Sequence, residues 1–280
     1  MDYADYIADP LRDCAIVVHR GVWRAAPENS LLAIERAISA GYDAVEIDVR
    51  RSSDGEFFLL HDDTLARTAD LAQEAEGLTL HQLSSLHLRD RDGGETNRMT
   101  GERLPSLKDV FDLTRGRIFL HLDVKRRDVI PGVIACARAM GVDREVDFWG
   151  DLKTQDDLAW VRDNISPEMV LFMAKTRLGS PDAERQLDLL SELNPLLCEI
   201  YFDSLDQLAA RRALFDKAGI KLWVNTLDSV SCAGFTDTAA LDNPAAIWGR
   251  LIDAGVSAIQ TDEAEALKTY LKTRRVQLST

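Results

Sequence analysis

A closed (β/α)8 barrel with a small insertion after the second strand region is the fold this sequence predicts, and three observations carry it. Short apolar, β-branched runs recur along the chain, the right length for buried strands and too short for helices. Helix-period segments alternate with them. Leaving out one hairpin strand, the parallel candidates start near 15, 44, 118, 146, 170, 197, 222 and 258, eight strand–helix units in 280 residues. A doubly wound open sheet is the competitor, but no G-x-G-x-x-G follows the first strand, and the loop over 21–30 also lacks G-x-x-x-x-G-K. One domain over 1–280 is therefore expected.

The elements follow in order. After a polar arm, residues 15–20 read A-I-V-V-H-R, a buried strand closed by two polar residues. Residues 21–27 form a loop, and Asn29 or Ser30 caps a helix carrying Leu31, Leu32, Ile34, Ala37 and Ile38, ended by Gly41. Residues 44–50 are the next strand, and Asp54-Gly55 turns the chain into a strand over 57–61. The rhythm breaks over 62–104, where a short helix and the polar run R-D-R-D-G-G-E-T-N-R predict an insertion with a flexible loop, too small for a core of its own. Pro105 opens a helix through Val110 and Leu113. Strands are then expected over 118–125, 146–149, 170–174, 197–202, 222–226 and 258–262. Helices are expected over 129–140, 155–161, 183–193, 205–218, about 244–254 and 264–271, with a long loop after 226.

Composition narrows the function classes. A chain 46% hydrophobic and 29% charged reads as an ordinary globular protein. A net charge of −14 opposes general attraction to nucleic acid or to an anionic membrane, while leaving room for a local basic cluster. The N-terminus has no signal-peptide pattern, and no apolar run approaches the roughly 20 residues of a membrane span. Cys14, Cys136, Cys198 and Cys232 are widely spaced without C-x-x-C pairing, so a reducing cytoplasm is the expected home.

In a barrel of this class the C-terminal strand ends share one rim, so polar residues there are the candidate site. Glu46 and Asp48 alternate in V-E-I-D-V and share a side of their strand; Asp123 lies in L-D-V-K. Three converging carboxylates repel, and one divalent cation resolves this, with all-oxygen ligation selecting Mg²⁺ or Ca²⁺. The competing reading pairs them with Arg20, Arg50 and Lys125. His19 and His61 each close a strand beside the carboxylates, and two histidines with a cation suit phosphodiester cleavage by general acid/base catalysis. Arg20 and Lys125 suit phosphate contact. Glu28-Asn29 reaches the site from the first loop or caps the first helix. Glu199 in C-E-I-Y-F and the alternating Trp223 and Asn225 in L-W-V-N-T are expected on the substrate side, Trp223 against an apolar part of the ligand or else in the core. Thr261-Asp262 closes the last strand, and His81, His87 and His121 read as structural.

These motifs together resemble the glycerophosphodiester phosphodiesterase family. The resemblance rests on H-R-G-V-W-R-A-A-P-E-N-S, E-I-D-V-R-R-S-S-D-G-E, H-D-D-T-L-A-R-T, G-E-R-L-P-S-L-K-D-V, L-D-V-K and D-A-G-V-S-A-I-Q-T-D, and so spans most of the chain. It implies a TIM barrel with a segment inserted after the His61 motif, and metal-dependent hydrolysis of glycerophosphodiesters to sn-glycerol 3-phosphate and an alcohol. By motif, His19 and His61 match the acid/base pair, Arg20 and Lys125 the phosphate-side cations, and Glu46, Asp48 and Asp123 the metal ligands. In two places the chain departs from the family pattern: Asp123 stands where the third ligand is commonly Glu, and Glu263 stands after T-D where proline is usual. The small-molecule diester is the expected partner, with no nucleic acid and no stable membrane insertion, and a homo-oligomer is left open. Two other readings keep the barrel: phospholipase D-like cleavage of a lysophospholipid, and binding of a phosphorylated ligand without turnover.

Overall fold

The computed structural model describes residues 2–278; residue 1 and residues 279–280, at the ends of the expected domain, lie outside the described residues. The strands are β1 (Ala15–His19), β2 (Ala44–Arg51), β3 (Phe119–Val124), β4 (Val146–Asp151), β5 (Leu171–Arg177), β6 (Leu197–Tyr201), β7 (Lys221–Asn225) and β8 (Val256–Thr261). They run in the sheet order β1-β8-β7-β6-β5-β4-β3-β2, with the hairpin strand Phe57–Leu59 beyond β2. β1 also pairs with β2, so the order closes on itself as a parallel (β/α)8 barrel. All eight expected strands are present, their ends moved by up to three residues. The chain forms two compact units, one of residues 18–148 and one of the segments up to Val17 and from Trp149.

In the unit of residues 18–148, β2 is buried along nearly its whole length. Val45, Ile47 and Val49 take one side, and Glu46, Asp48 and Arg50 the other. The helix Leu31–Ala40 begins at Ser30, whose hydroxyl accepts from the Ala33 N–H, and ends at Gly41 in the left-handed conformation. It buries Ala33, Ile34 and Ala37. Gly21 lets the chain pass this helix: a Cβ there would lie 2.8 Å from the Ala33 carbonyl carbon.

The insertion is better ordered than its composition suggested. It holds two small antiparallel pairs, Thr64–Leu65 with Leu71–Glu74 and His87–Arg89 with Met99–Arg103, and the short helices Ala66–Ala69 and Leu80–Leu83. Leu65, Leu78, Leu83, Leu88 and Leu104 form an apolar cluster with Phe58 and Leu60 of the hairpin. Each such leucine contributes roughly 1.5–3 kcal/mol on burial. The insertion therefore packs into a core that it shares with the hairpin. The polar run is likewise tied down: Gly94 N–H donates to the Arg67 carbonyl (2.7 Å) and Glu28 N–H to the Arg91 carbonyl (2.8 Å). Gly93, at φ 75°, passes so close that a Cβ would lie 2.4 Å from the Arg67 carbonyl oxygen.

In the other unit, β5, β6, β7 and β8 pair in parallel, and the register sets Lys175 beside Glu199, Glu199 beside Trp223, and Arg177 beside Tyr201. The long loop expected after β7 contains a helix, Asp237–Asp242. The helix expected over 244–254 is a π-helical turn, Ala245–Gly249, running into Arg250–Asp253. Buried Asp237 accepts from the hydroxyls of Thr226 and Thr261, both at 2.6 Å, and from Asp262 N–H at 2.8 Å. Glu263 N–H donates to the Thr261 hydroxyl (2.9 Å), a bond that proline cannot make. No helix among the described residues is long and apolar enough to cross a membrane.

Candidate active site

The register of β2 and β3 sets Glu46 beside His121 and Asp48 beside Asp123. Ligand oxygens of Glu46, Asp48 and Asp123 all lie within 4.8 Å of one another. The cations around them are unevenly shared. Lys125 reaches Asp48 at 2.5 Å and Asp123 at 2.6 Å. The Arg20 guanidinium reaches Glu28 at 3.1 Å and Asp48 at 3.2 Å. Glu46 accepts from the Arg20 backbone N–H at 3.1 Å and faces His19 Nε2 at 3.9 Å. Burial works against the charged form of Asp48, yet Lys125 and Arg20 hold it well below the usual carboxylate range. Burial and the neighbouring Asp48 push the Glu46 carboxyl up to about 7. The cluster is thus short of positive charge at Glu46, and the donor set is all oxygen, which fits a hard divalent cation held by Glu46, Asp48 and Asp123.

The backbone is bent to build this. Arg20 (φ 52°) and Gly21 (φ 76°) are consecutive left-handed residues after β1, and they turn the Arg20 N–H onto Glu46. For a non-glycine this conformation costs about 1–2 kcal/mol. Asn29, at φ 57°, is also left-handed. Because Ser30 caps the helix, Asn29 is released to brace Asp48 through Nδ2 to the carboxylate (2.6 Å) and through Oδ1 from the Asp48 N–H (3.1 Å).

His61 is held by Asp62, Arg67 and Glu28, of which Asp62 and Arg67 lie in its own motif. Its Nδ1 lies 2.8 Å from Asp62 Oδ1. Arg67 grips Asp62 with two bonds, Nε to Oδ2 (2.7 Å) and Nη2 to Oδ1 (2.9 Å), and Nη2 also reaches Glu28 at 2.7 Å. A continuous polar path therefore runs from His61 through Asp62, Arg67 and Glu28 to Arg20. The Arg67 hydrogen bonds, more than the neighbouring charges, hold Asp62 down at about 2. Arg67 sits in H-D-D-T-L-A-R-T, but its partner Glu28 is 39 residues away and no local spacing marks the pair. His121, read as structural, pairs with Asp147 at 2.8 Å. Burial opposes its charge, but Asp147 wins and lifts it to about 9. Arg50 binds the carbonyls of Leu60 and His61 and the Asp63 carboxylate, so it secures the hairpin and leaves the three clustered acids alone.

The remaining candidates lie in the other unit and form a set of their own. Glu199 is buried; Oε1 accepts from Tyr201 (2.7 Å) and Asn225 (2.9 Å), and Oε2 meets Lys175 at 3.3 Å. Trp223 is 0% exposed, and its indole N–H donates to Asn225 Oδ1 at 2.7 Å. Trp223 consequently offers no face to a ligand; alternation told the side of the strand and not the depth. It acts by holding Asn225, which in turn holds Glu199.

Residues 19–131 match the model of the glycerophosphoryl diester phosphodiesterase family, and residues 172–271 match that of a domain of unknown function. A glycerophosphodiester phosphodiesterase of Caldanaerobacter subterraneus subsp. tengcongensis is 32% identical over 120 residues, 42% of this chain and 48% of that protein. The match thus spans about half the length, or less, of the curated relatives. A glycerophosphodiester phosphodiesterase structure from Agrobacterium tumefaciens aligns with TM-score 0.67 at 24% identity, over 91% of this chain and 98% of that one. An Oleispira antarctica phosphodiesterase, solved with the product sn-glycerol-3-phosphate, aligns with TM-score 0.66 at 20% identity, over 93% and 97%. Likeness at these identities speaks to the fold.

Proposed function

We propose that this chain, whose residues 19–131 match the model of the glycerophosphoryl diester phosphodiesterase family, hydrolyses glycerophosphodiesters to sn-glycerol 3-phosphate and an alcohol. The observation that carries this is the convergence of Glu46, Asp48 and Asp123 within 4.8 Å, short of positive charge and flanked by His19, Arg20 and Lys125. Relatives bearing that name, and the product held by the Oleispira protein, support the reaction class.

Glu46, Asp48 and Asp123 hold one divalent cation, Mg²⁺ or Ca²⁺, which supplies charge stabilisation at the phosphate oxygens when bound. Arg20 and Lys125 orient the phosphate. Asp62 accepts from His61 Nδ1–H, which leaves Nε2 to exchange a proton with the reacting oxygen. His19, with Nε2 directed toward Glu46, provides the second proton-transfer group. One histidine deprotonates the nucleophile and the other protonates the leaving alkoxide. The four free cysteines fit a reducing cytoplasm.

The test is a panel of glycerophosphocholine, glycerophosphoethanolamine, glycerophosphoglycerol and glycerophosphoinositol, assayed with Mg²⁺, Ca²⁺ and EDTA. Turnover that chelation abolishes and metal restores is expected. Turnover of no diester with either metal, or full activity in EDTA, overturns the reading.

A further inference from the structure

The unit that contains β5 to β8 has a cavity of about 720 Å³, large enough for a small organic molecule. Arg177 and Asp203 both line it, and neither is within ion-pair distance of an opposite charge among the described residues. The other charged lining residue, Lys175, is already neutralised by Glu199. Buried and half-buried arginines elsewhere, such as Arg50, Arg20 and Arg67, are each closed on a carboxylate, as a chain of net charge −14 readily allows.

Each of the two open charges is held in place by other means. The Arg177 guanidinium stacks on the Tyr201 ring, 4.1 Å from its centroid, which keeps the fork of N–H donors directed edgewise. Asp203 is tied to Gln207, whose Oε1 accepts from Asp203 N–H at 2.8 Å and whose Nε2 donates to Oδ2 at 3.5 Å. Its carboxylate seats in the gap left by Gly179, where a Cβ would lie 2.1 Å from Oδ2. A half-buried cation and an exposed anion that line one cavity without closing on each other are complementary to a ligand that carries both signs. The hydroxyls of Ser229 and Ser231 on the same wall suit its remaining polar atoms.

We propose that this cavity binds a zwitterionic α-amino carboxylate, its carboxylate on Arg177 and its ammonium on Asp203. Arginine pairs with a planar carboxylate through two parallel bonds, and Asp203 accepts from an ammonium without competition from a protein cation. A purely anionic ligand leaves Asp203 repelling it, and a purely cationic one leaves Arg177 unmatched.

The same chemistry is offered by a free amino acid and by the seryl end of a phosphodiester, and calorimetry with the full chain in EDTA separates them. The probes are L-serine, sn-glycero-3-phosphoserine, ethanolamine and glycolate. Saturable binding of L-serine or of glycerophosphoserine is expected, weakened at least about tenfold by Arg177→Gln and again by Asp203→Asn. Ethanolamine and glycolate, each with one charge only, are expected to bind at least about tenfold more weakly than serine. Tighter binding of glycerophosphoserine than of serine assigns the seryl end of a diester; equal binding assigns the free amino acid. Equal serine and glycerophosphoserine affinity in wild type and Arg177→Gln, or no binding of either by the wild type, overturns the proposal whether or not the chain hydrolyses diesters.

Discussion

On β2 and β3, three carboxylates share Lys125 and Arg20; on β6, Glu199 has Lys175, Tyr201 and Asn225 to itself. Both sets sit on buried parallel strands of one sheet, where an uncompensated charge is costly. They differ in balance. Glu199 has donors for both oxygens and a full counter-charge, so its set is closed. Glu46 has a backbone N–H and a distant imidazole, so its set stays open to a cation. The contrast teaches that a buried acid indicates a reactive centre when its charge is left over, and a support when its charge is spent within the fold.

The largest effect that tests this contrast is on turnover. His19→Ala and His61→Ala are each expected to lower kcat/KM about 10²–10⁴-fold with metal affinity retained, measured by a coupled glycerol 3-phosphate assay and by Mn²⁺ titration. Near-normal rates in either variant remove that histidine from proton transfer. A second test asks whether charge balance, rather than location, makes a pair structural. His121 and Asp147 lie in the same unit as the open cluster but close on each other. Asp147→Asn is expected to cost about 3–5 kcal/mol of stability in urea near pH 6. Because Asp147 lifts His121 to about 9, above its ordinary value, the pair's contribution is complete below about pH 6.5 and fades as the pH rises through 9. An equal loss at pH 6 and pH 10 breaks the assignment of that pair as ionic. The smallest effect belongs to Glu199→Gln, which keeps the shape of the closed set and removes its charge. Metal affinity is expected to stay within about twofold, with stability down by about 1–3 kcal/mol as Lys175 loses its partner. A large loss of metal affinity places Glu199 with the open cluster.

Most of the barrel was legible because buried parallel strands leave apolar, β-branched runs, and the eight runs from A-I-V-V to A-I-Q-T mark them. The carboxylate cluster was legible for a related reason: Glu46, Asp48 and Asp123 interrupt such runs, and an acid within a buried strand needs a partner. Depth and long-range pairing were not. Trp223 and Asn225 share a side, but alternation is silent on whether the wall beyond them is solvent or core. Asn29 and Ser30 are equally good caps by type; only the backbone turn at Asn29 gives the cap to Ser30 and the brace to Asn29. Arg67 reaches Glu28 and Asp62 only after the insertion has folded, so its composition read as loose although its contacts are specific.

Gly93 carries that point into heredity. By sequence it is one of two glycines in a polar turn, the sort of codon where a missense change passes for neutral. Its backbone lies against the carbonyl of the residue that steadies Asp62 and Glu28, and any side chain there meets that carbonyl first. A missense change at codon 93 would therefore displace the Arg67 backbone, and its damage would reach the His61–Asp62 pair although the codon lies 32 positions away.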